Sequence, residues 1–152
     1  MVVARRDVEI EWGDCDPAGI VHFPRYMFFF DCCTISLFET VGLPKQRMLK
    51  DYRMAGYPVV DLHTRFLIPS RFGDMVTIES AISEWRRSSF VVRHRLLRGD
   101  ALAVECFETR VWTVHDPSDP ERLMGAPVPP DVRERFEVSD TSSENNTTTM
   151  EG

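Results

Sequence analysis

Two carboxylates, Asp14 and Asp16, mark the chemically richest stretch of this 152-residue chain, the run Trp12-Gly-Asp-Cys-Asp-Pro-Ala-Gly-Ile-Val-His-Phe-Pro-Arg-Tyr26. Its glycines and Pro17 make Gly13 to Val21 a loop. Pro24 suits the start of a helix, where a missing N–H costs nothing. The first turn of a helix carries unpaired N–H groups and the positive end of the macrodipole. Such amides can polarise an acyl carbonyl and hold the oxyanion that forms on attack. A carboxylate beside them can attack that carbonyl or take a proton from water. The residues therefore permit acyl transfer, and they equally fit a carboxylate that only caps a helix.

Other chemistries fit this run less well. Cys15 lies between two carboxylates, which disfavours a thiolate nucleophile. Asp14, Asp16 and His22 are scattered through a loop and fix no metal geometry. Cys15, Cys32, Cys33 and Cys106 contain no Cys-x-x-Cys pair and read as small reduced thiols. Two further signals lie downstream. Asp31 sits in an apolar helix and needs a partner there. Arg86-Arg87 joins two strands, either as a solvated pair or as a grip on phosphate. His63, His94 and His115 fall in strand patterns and read as structural.

The elements that must position these groups follow from pattern. Val8, Ile10 and Trp12 alternate with polar residues as a short strand. Arg25 to Val41 is apolar around most of its circumference, so it reads as a helix surrounded by protein, ended by Gly42-Leu43-Pro44. Lys45 to Arg53 reads as a second, short helix. From Tyr57 onward the pattern is sheet: Val59 to Ile68, Met75 to Trp85, Ser89 to Arg98, a tight turn at Gly99-Asp100, then Ala101 to Val114. One long apolar helix with long antiparallel strands predicts an α+β roll in which the sheet wraps the helix. Ser139 to Gly152 is almost wholly polar and reads as a disordered tail behind a single domain over residues 1–138.

Composition narrows the classes. A formal charge of −6 argues against a protein that coats nucleic acid. No apolar run approaches the roughly 20 residues of a membrane span. The first residues lack the apolar stretch of a secretory leader, so a cytoplasmic location is expected.

The run Gly13 to Val21, Pro24-x-Tyr26, Asp31, Gly42-Leu43-Pro44 and Glu84-Trp-Arg-Arg-x-Ser-Phe90 together resemble the 4-hydroxybenzoyl-CoA thioesterase family, from about Val8 to about Arg133. The resemblance implies a hotdog fold, with a helix wrapped by an antiparallel sheet. It also implies homodimers that assemble to homotetramers, with sites at subunit interfaces. Coenzyme A is then part of the substrate, and no separate cofactor or metal is implied. Carried over by position, the catalytic carboxylate falls on Asp16 and the oxyanion donor on the Phe23 N–H. Asp31 would accept a hydrogen bond from the 4-hydroxyl of a substrate in the neighbouring subunit. Arg86 and Arg87 would hold the nucleotide end of coenzyme A, with Ser88 where the pattern has a third basic residue. His22-Phe23 stands at the family's aromatic pair, and His22 becomes a candidate contact for the acyl group. Lys45-Gln46 departs from the aromatic residue expected after Pro44. Short or medium aliphatic acyl-CoA remains an alternative substrate, and a non-catalytic acyl-CoA or acyl-carrier binding module remains an alternative function.

Overall fold

Period-two alternation of apolar residues from Met75 to Trp85 buries Val76, Ile78 and Ile82 on one face, and neighbouring strands copy that alternation in register. A computed structural model of the chain describes residues 1–142. Five strands form one antiparallel sheet: β1 (Ala4–Glu9), β2 (Val59–Phe66), β3 (Met75–Trp85), β4 (Ser89–Arg98) and β5 (Ala101–Val111), in the order β1-β3-β4-β5-β2. The long helix α1 (Phe23–Thr40) lies on the inner face, and α2 (Lys45–Asp51) follows the Gly42 stop, where φ is +79°. This is the wrapped-helix roll that the pattern predicts.

The core has two apolar halves along α1. Tyr26, Phe29, Phe30 and Cys33 pack against Val76, Ile78, Leu96 and Val104. Leu37 and Phe38 pack against Phe90, Val92 and Trp112 at the far end. Between the halves runs a polar seam beside Thr34, described below.

Several boundaries differ from expectation. The first strand ends at Glu9, and Trp12–Asp14 forms a 3-10 turn that leaves Trp12 76% exposed. A reciprocal pair of contacts between Glu11 and Asp14 stops the strand there, which alternation alone does not reveal. Helix α2 stops at Asp51, two residues short. The final strand divides at Trp112: β5 ends at Val111, and β6 (Thr113–Asp116) turns away to pair with β7 (Asp119–Gly125) as a separate hairpin. A third helix, α3 (Pro130–Ser142), follows and seats Val132 and Phe136 in the core. Its bounds reach Ser142, and the remainder of the segment expected as a polar tail lies outside the described residues.

Candidate active site

The loop before α1 is a tight hairpin. Cys15 bridges Val21, the Asp16 N–H donates to the Ile20 carbonyl at 2.9 Å, and the Gly19 N–H returns to the Asp16 carbonyl at 2.9 Å. Gly19 takes φ +79°, a conformation that a Cβ would strain. A further bridge between Ile20 and Arg71 fixes the tip to the segment entering β3.

The two aspartates have different environments. Asp14 is buried, and both of its oxygens are committed, Oδ1 to Arg25 Nε at 2.9 Å and Oδ2 to the Glu11 N–H at 2.9 Å. It is a structural brace between loop and helix. Asp16 is half-buried; its Oδ1 accepts from the Ala18 N–H at 2.9 Å, and its Oδ2 has no hydrogen bond among the described residues. One oxygen is held by the loop and the other is unpaired among the described residues.

The helix start supplies the complementary partner. His22 caps α1 through its backbone only, with no side-chain capping bond. Pro24 has no N–H, and the Arg25 N–H is satisfied by the His22 carbonyl at 2.9 Å. The Phe23 N–H has no acceptor among the described residues, at the positive end of an 18-residue helix. The Phe23 ring is 63% exposed, and His22 lies tilted beside it with ring centroids 5.6 Å apart. An apolar cavity of about 340 Å³ opens here, lined by Ile20, Val21, Phe23, Tyr26, Phe66 at the end of β2 and the following Leu67, Ile68 and Pro69.

Asp31 lies about 12 Å along α1 from Phe23 and has its partner. Its Oδ1 accepts from Arg110 Nη2 at 2.9 Å, with the Asp31 side chain 55% exposed and Arg110 only 4%. Arg110 also donates through Nε to Glu108 Oε2 at 2.8 Å and through Nη1 to the Tyr57 carbonyl at 3.2 Å. Glu108 Oε2 in turn accepts from Thr34 Oγ1 at 3.0 Å and faces His94 Nε2 at 3.3 Å; His94 Nδ1 meets Ser80 Oγ at 2.6 Å. Burial alone would raise the Glu108 carboxyl, but the hydrogen bonds and charge of His94 and Arg110 outweigh it and hold it at about 2. This buried chain from Ser80 to Asp31 is the principal feature that reading the sequence missed. It resembles a Ser-His-acid triad, but Ser80, His94 and Glu108 are all buried in the core, so no substrate reaches the Ser80 hydroxyl.

Arg86, Arg87 and Ser88 form the β3–β4 turn, far from the Asp16 hairpin. The hairpin is tied to the start of β3, and an 11-residue strand separates that point from the turn, a span of roughly 33 Å. Neither these residues nor Asp31 line the cavity at the head of α1. Of the candidate site residues singled out in the sequence only Phe23 lines that cavity; Asp16 sits in the hairpin and His22 at the helix cap that lead to it, and Asp31 and the arginines stand apart. The thiols of Cys33 and Cys106 are pushed up by burial, to about 11 and about 12, and stay protonated.

A model of the thioesterase-like superfamily matches residues 10–136. The 4-hydroxybenzoyl-CoA thioesterase of Pseudomonas sp. strain CBS-3 is 41% identical over 131 residues, covering 82% of this chain and 91% of its own. A crystal structure of 4-hydroxybenzoyl-CoA thioesterase, an Asp-to-Asn variant complexed with 4-hydroxybenzoyl-CoA, aligns with a TM-score of 0.82 at 34% identity, over 88% of this chain and 98% of that one. A gentisyl-coenzyme A thioesterase aligns with a TM-score of 0.73 at 28% identity, over 86% and 99%. Matched from just after β1 to the middle of α3, this chain belongs to the thioesterase-like superfamily and has its hotdog fold.

Proposed function

We propose that this protein hydrolyses an aromatic acyl-CoA thioester, with 4-hydroxybenzoyl-CoA as the preferred substrate, to the free acid and coenzyme A. The observation that carries the reading is the uncommitted Asp16 oxygen in the hairpin leading to the unpaired Phe23 amide, with the apolar cavity at that helix start. The Phe23 N–H stabilises the oxyanion that develops on the thioester oxygen. Asp16 either adds to the carbonyl carbon, expelling the thiolate to leave an anhydride that water opens, or takes a proton from the water that attacks. In both routes one water is consumed, the C–S bond breaks and the thiolate is protonated on release. His22 borders the acyl group at the rim.

The remaining candidates need a second copy. Strand β2 is an edge strand whose outer side is unpaired among the described residues, with Val59, Val60, Leu62 and Phe66 exposed. An apolar edge of this kind is a template for pairing with another chain, and its Phe66 end borders the cavity. A homodimer joined there places Asp31 of one protomer near the acyl site of the other, where it accepts a hydrogen bond from the substrate 4-hydroxyl. Two such dimers form the homotetramer, and the Arg86–Ser88 turn takes the coenzyme A phosphates. The cytoplasm, where acyl-CoA esters are made and thiols stay reduced, is the compartment proposed.

The test is thiol release from 4-hydroxybenzoyl-, benzoyl-, phenylacetyl- and short aliphatic CoA esters, measured for the wild type and for Asp16→Asn. The hydroxylated aromatic ester should give the highest kcat/KM, and Asp16→Asn should lower kcat by about 10²–10⁴-fold. Faster turnover of an aliphatic ester overturns the acyl assignment. Binding without any thiol release makes the protein a carrier module, and near wild-type turnover in Asp16→Asn removes Asp16 from the chemistry.

A further inference from the structure

The β3–β4 turn gathers more positive charge than its own sequence supplies. Arg86 is matched by Glu84, with Nε to Oε1 at 3.0 Å and Nη2 to Oε2 at 3.1 Å, so its charge is largely balanced. Arg87 is exposed and has no ion pair among the described residues. Arg133 reaches the same turn from α3. Its Nη2 donates to the Arg86 carbonyl and to the Arg87 carbonyl, the latter at 3.2 Å, and its guanidinium lies 5.6 Å over the Trp85 ring. These partners are neutral, and Arg133 has no carboxylate partner among the described residues. Its charge is therefore uncompensated, and the donors on its Nε and Nη1 make no hydrogen bond there.

The backbone beneath these guanidinium groups is held from several sides. The Arg86 N–H donates to the Ser89 carbonyl at 2.8 Å, the Trp112 N–H to the Ser88 carbonyl at 2.8 Å, and the Val128 N–H to the Arg87 carbonyl at 2.9 Å. Two planar, multiply donating cations on a fixed turn, with a third already neutralised beside them, form a preorganised site for phosphate oxygens.

We infer that Arg133 is a third cation of an anion site shared with Arg86 and Arg87, taking the phosphates of a nucleotide-bearing thiol such as coenzyme A. The inference rests on the coenzyme A reading given above and adds to it a residue from a different element. It also gives the turn a substitute for the basic side chain that Ser88 lacks.

The experiment compares competitive inhibition by free coenzyme A and by pantetheine, which lacks every phosphate, in the wild type, Arg87→Ala, Arg133→Met and Arg133→Lys. Arg133→Met should raise the inhibition constant of coenzyme A relative to pantetheine about tenfold, the loss of one charge-assisted hydrogen bond. Arg133→Lys should recover most of that loss, because it keeps the charge while losing the guanidinium Nη2 that bridges two carbonyls. A ratio unchanged in Arg133→Met but raised in Arg87→Ala overturns the inference and leaves the coenzyme A reading intact. A loss in Arg133→Met that Arg133→Lys does not rescue assigns Arg133 to the backbone clamp alone and also overturns it. Ratios unchanged in all three variants remove the coenzyme A reading from this turn.

Discussion

Glu108 shows how environment decides what a carboxylate does in this molecule. It is sealed in the core yet held ionised, because His94, Thr34 and Arg110 meet it there. Its folded-state pKa of about 2 lies below the roughly 4.3 of an unfolded glutamate. The unfolded chain thus binds the extra proton first, so this stabilisation is complete above about pH 5 and disappears as the pH falls toward 2. Thermal unfolding followed from pH 6 to pH 2.5 should show Tm falling across that window in the wild type. Glu108→Gln should start from a lower Tm and show a shallower fall; parallel curves would mean that Glu108 is not the group responsible. The Asp16 neighbourhood was legible in the sequence because Asp, Pro, Gly and a helix start lie together within one run. The Ser80–His94–Glu108–Arg110 chain was not, since its members come from three strands. Even so, Val104, Cys106, Glu108 and Arg110 share one face of β5 with buried Trp112 just beyond it, and a Glu and an Arg between buried apolar positions were a readable sign of an internal ion pair.

Among the helices, α3 is the one absent from the sequence pattern read above, and it has consequences for both stability and binding. Its Phe136 is 6% exposed and packs edge-on against Phe38 and Trp85, with centroids 5.4 Å apart in each case. Truncation of such a side chain costs about 3 kcal/mol or more, so Phe136→Ala should lower Tm by roughly 6–12 °C in calorimetry. Because Trp85 directly precedes Arg86, the same change should weaken coenzyme A inhibition; a lowered Tm with unaltered inhibition would uncouple α3 from the turn. The helix did leave a trace in the sequence: Pro129-Pro130 is a start signal, and Val132 and Phe136 stand four apart on one face. Strand β7 left none, since all of its residues are exposed and alternation has nothing to alternate with. The long strands β3 and β4 were readable because each buries alternate residues over most of its length.

For the whole molecule, the proposed function requires two distant regions to serve one substrate. Pairing through β2 is the proposed answer, and it predicts a dimer or tetramer in multi-angle light scattering. Leu62→Lys places a charge on the exposed edge and should shift the protein toward monomer, with thiol release falling in parallel. A fully active monomer would show that each protomer works alone. On the proposed reading, the span of roughly 33 Å between the Asp16 hairpin and the arginine turn carries a consequence for how this protein changes over generations. Substitutions so far apart combine almost independently. A lineage can therefore alter which acid it liberates while its hold on the common carrier handle stays untouched, and new specificities arise without the handle being reinvented.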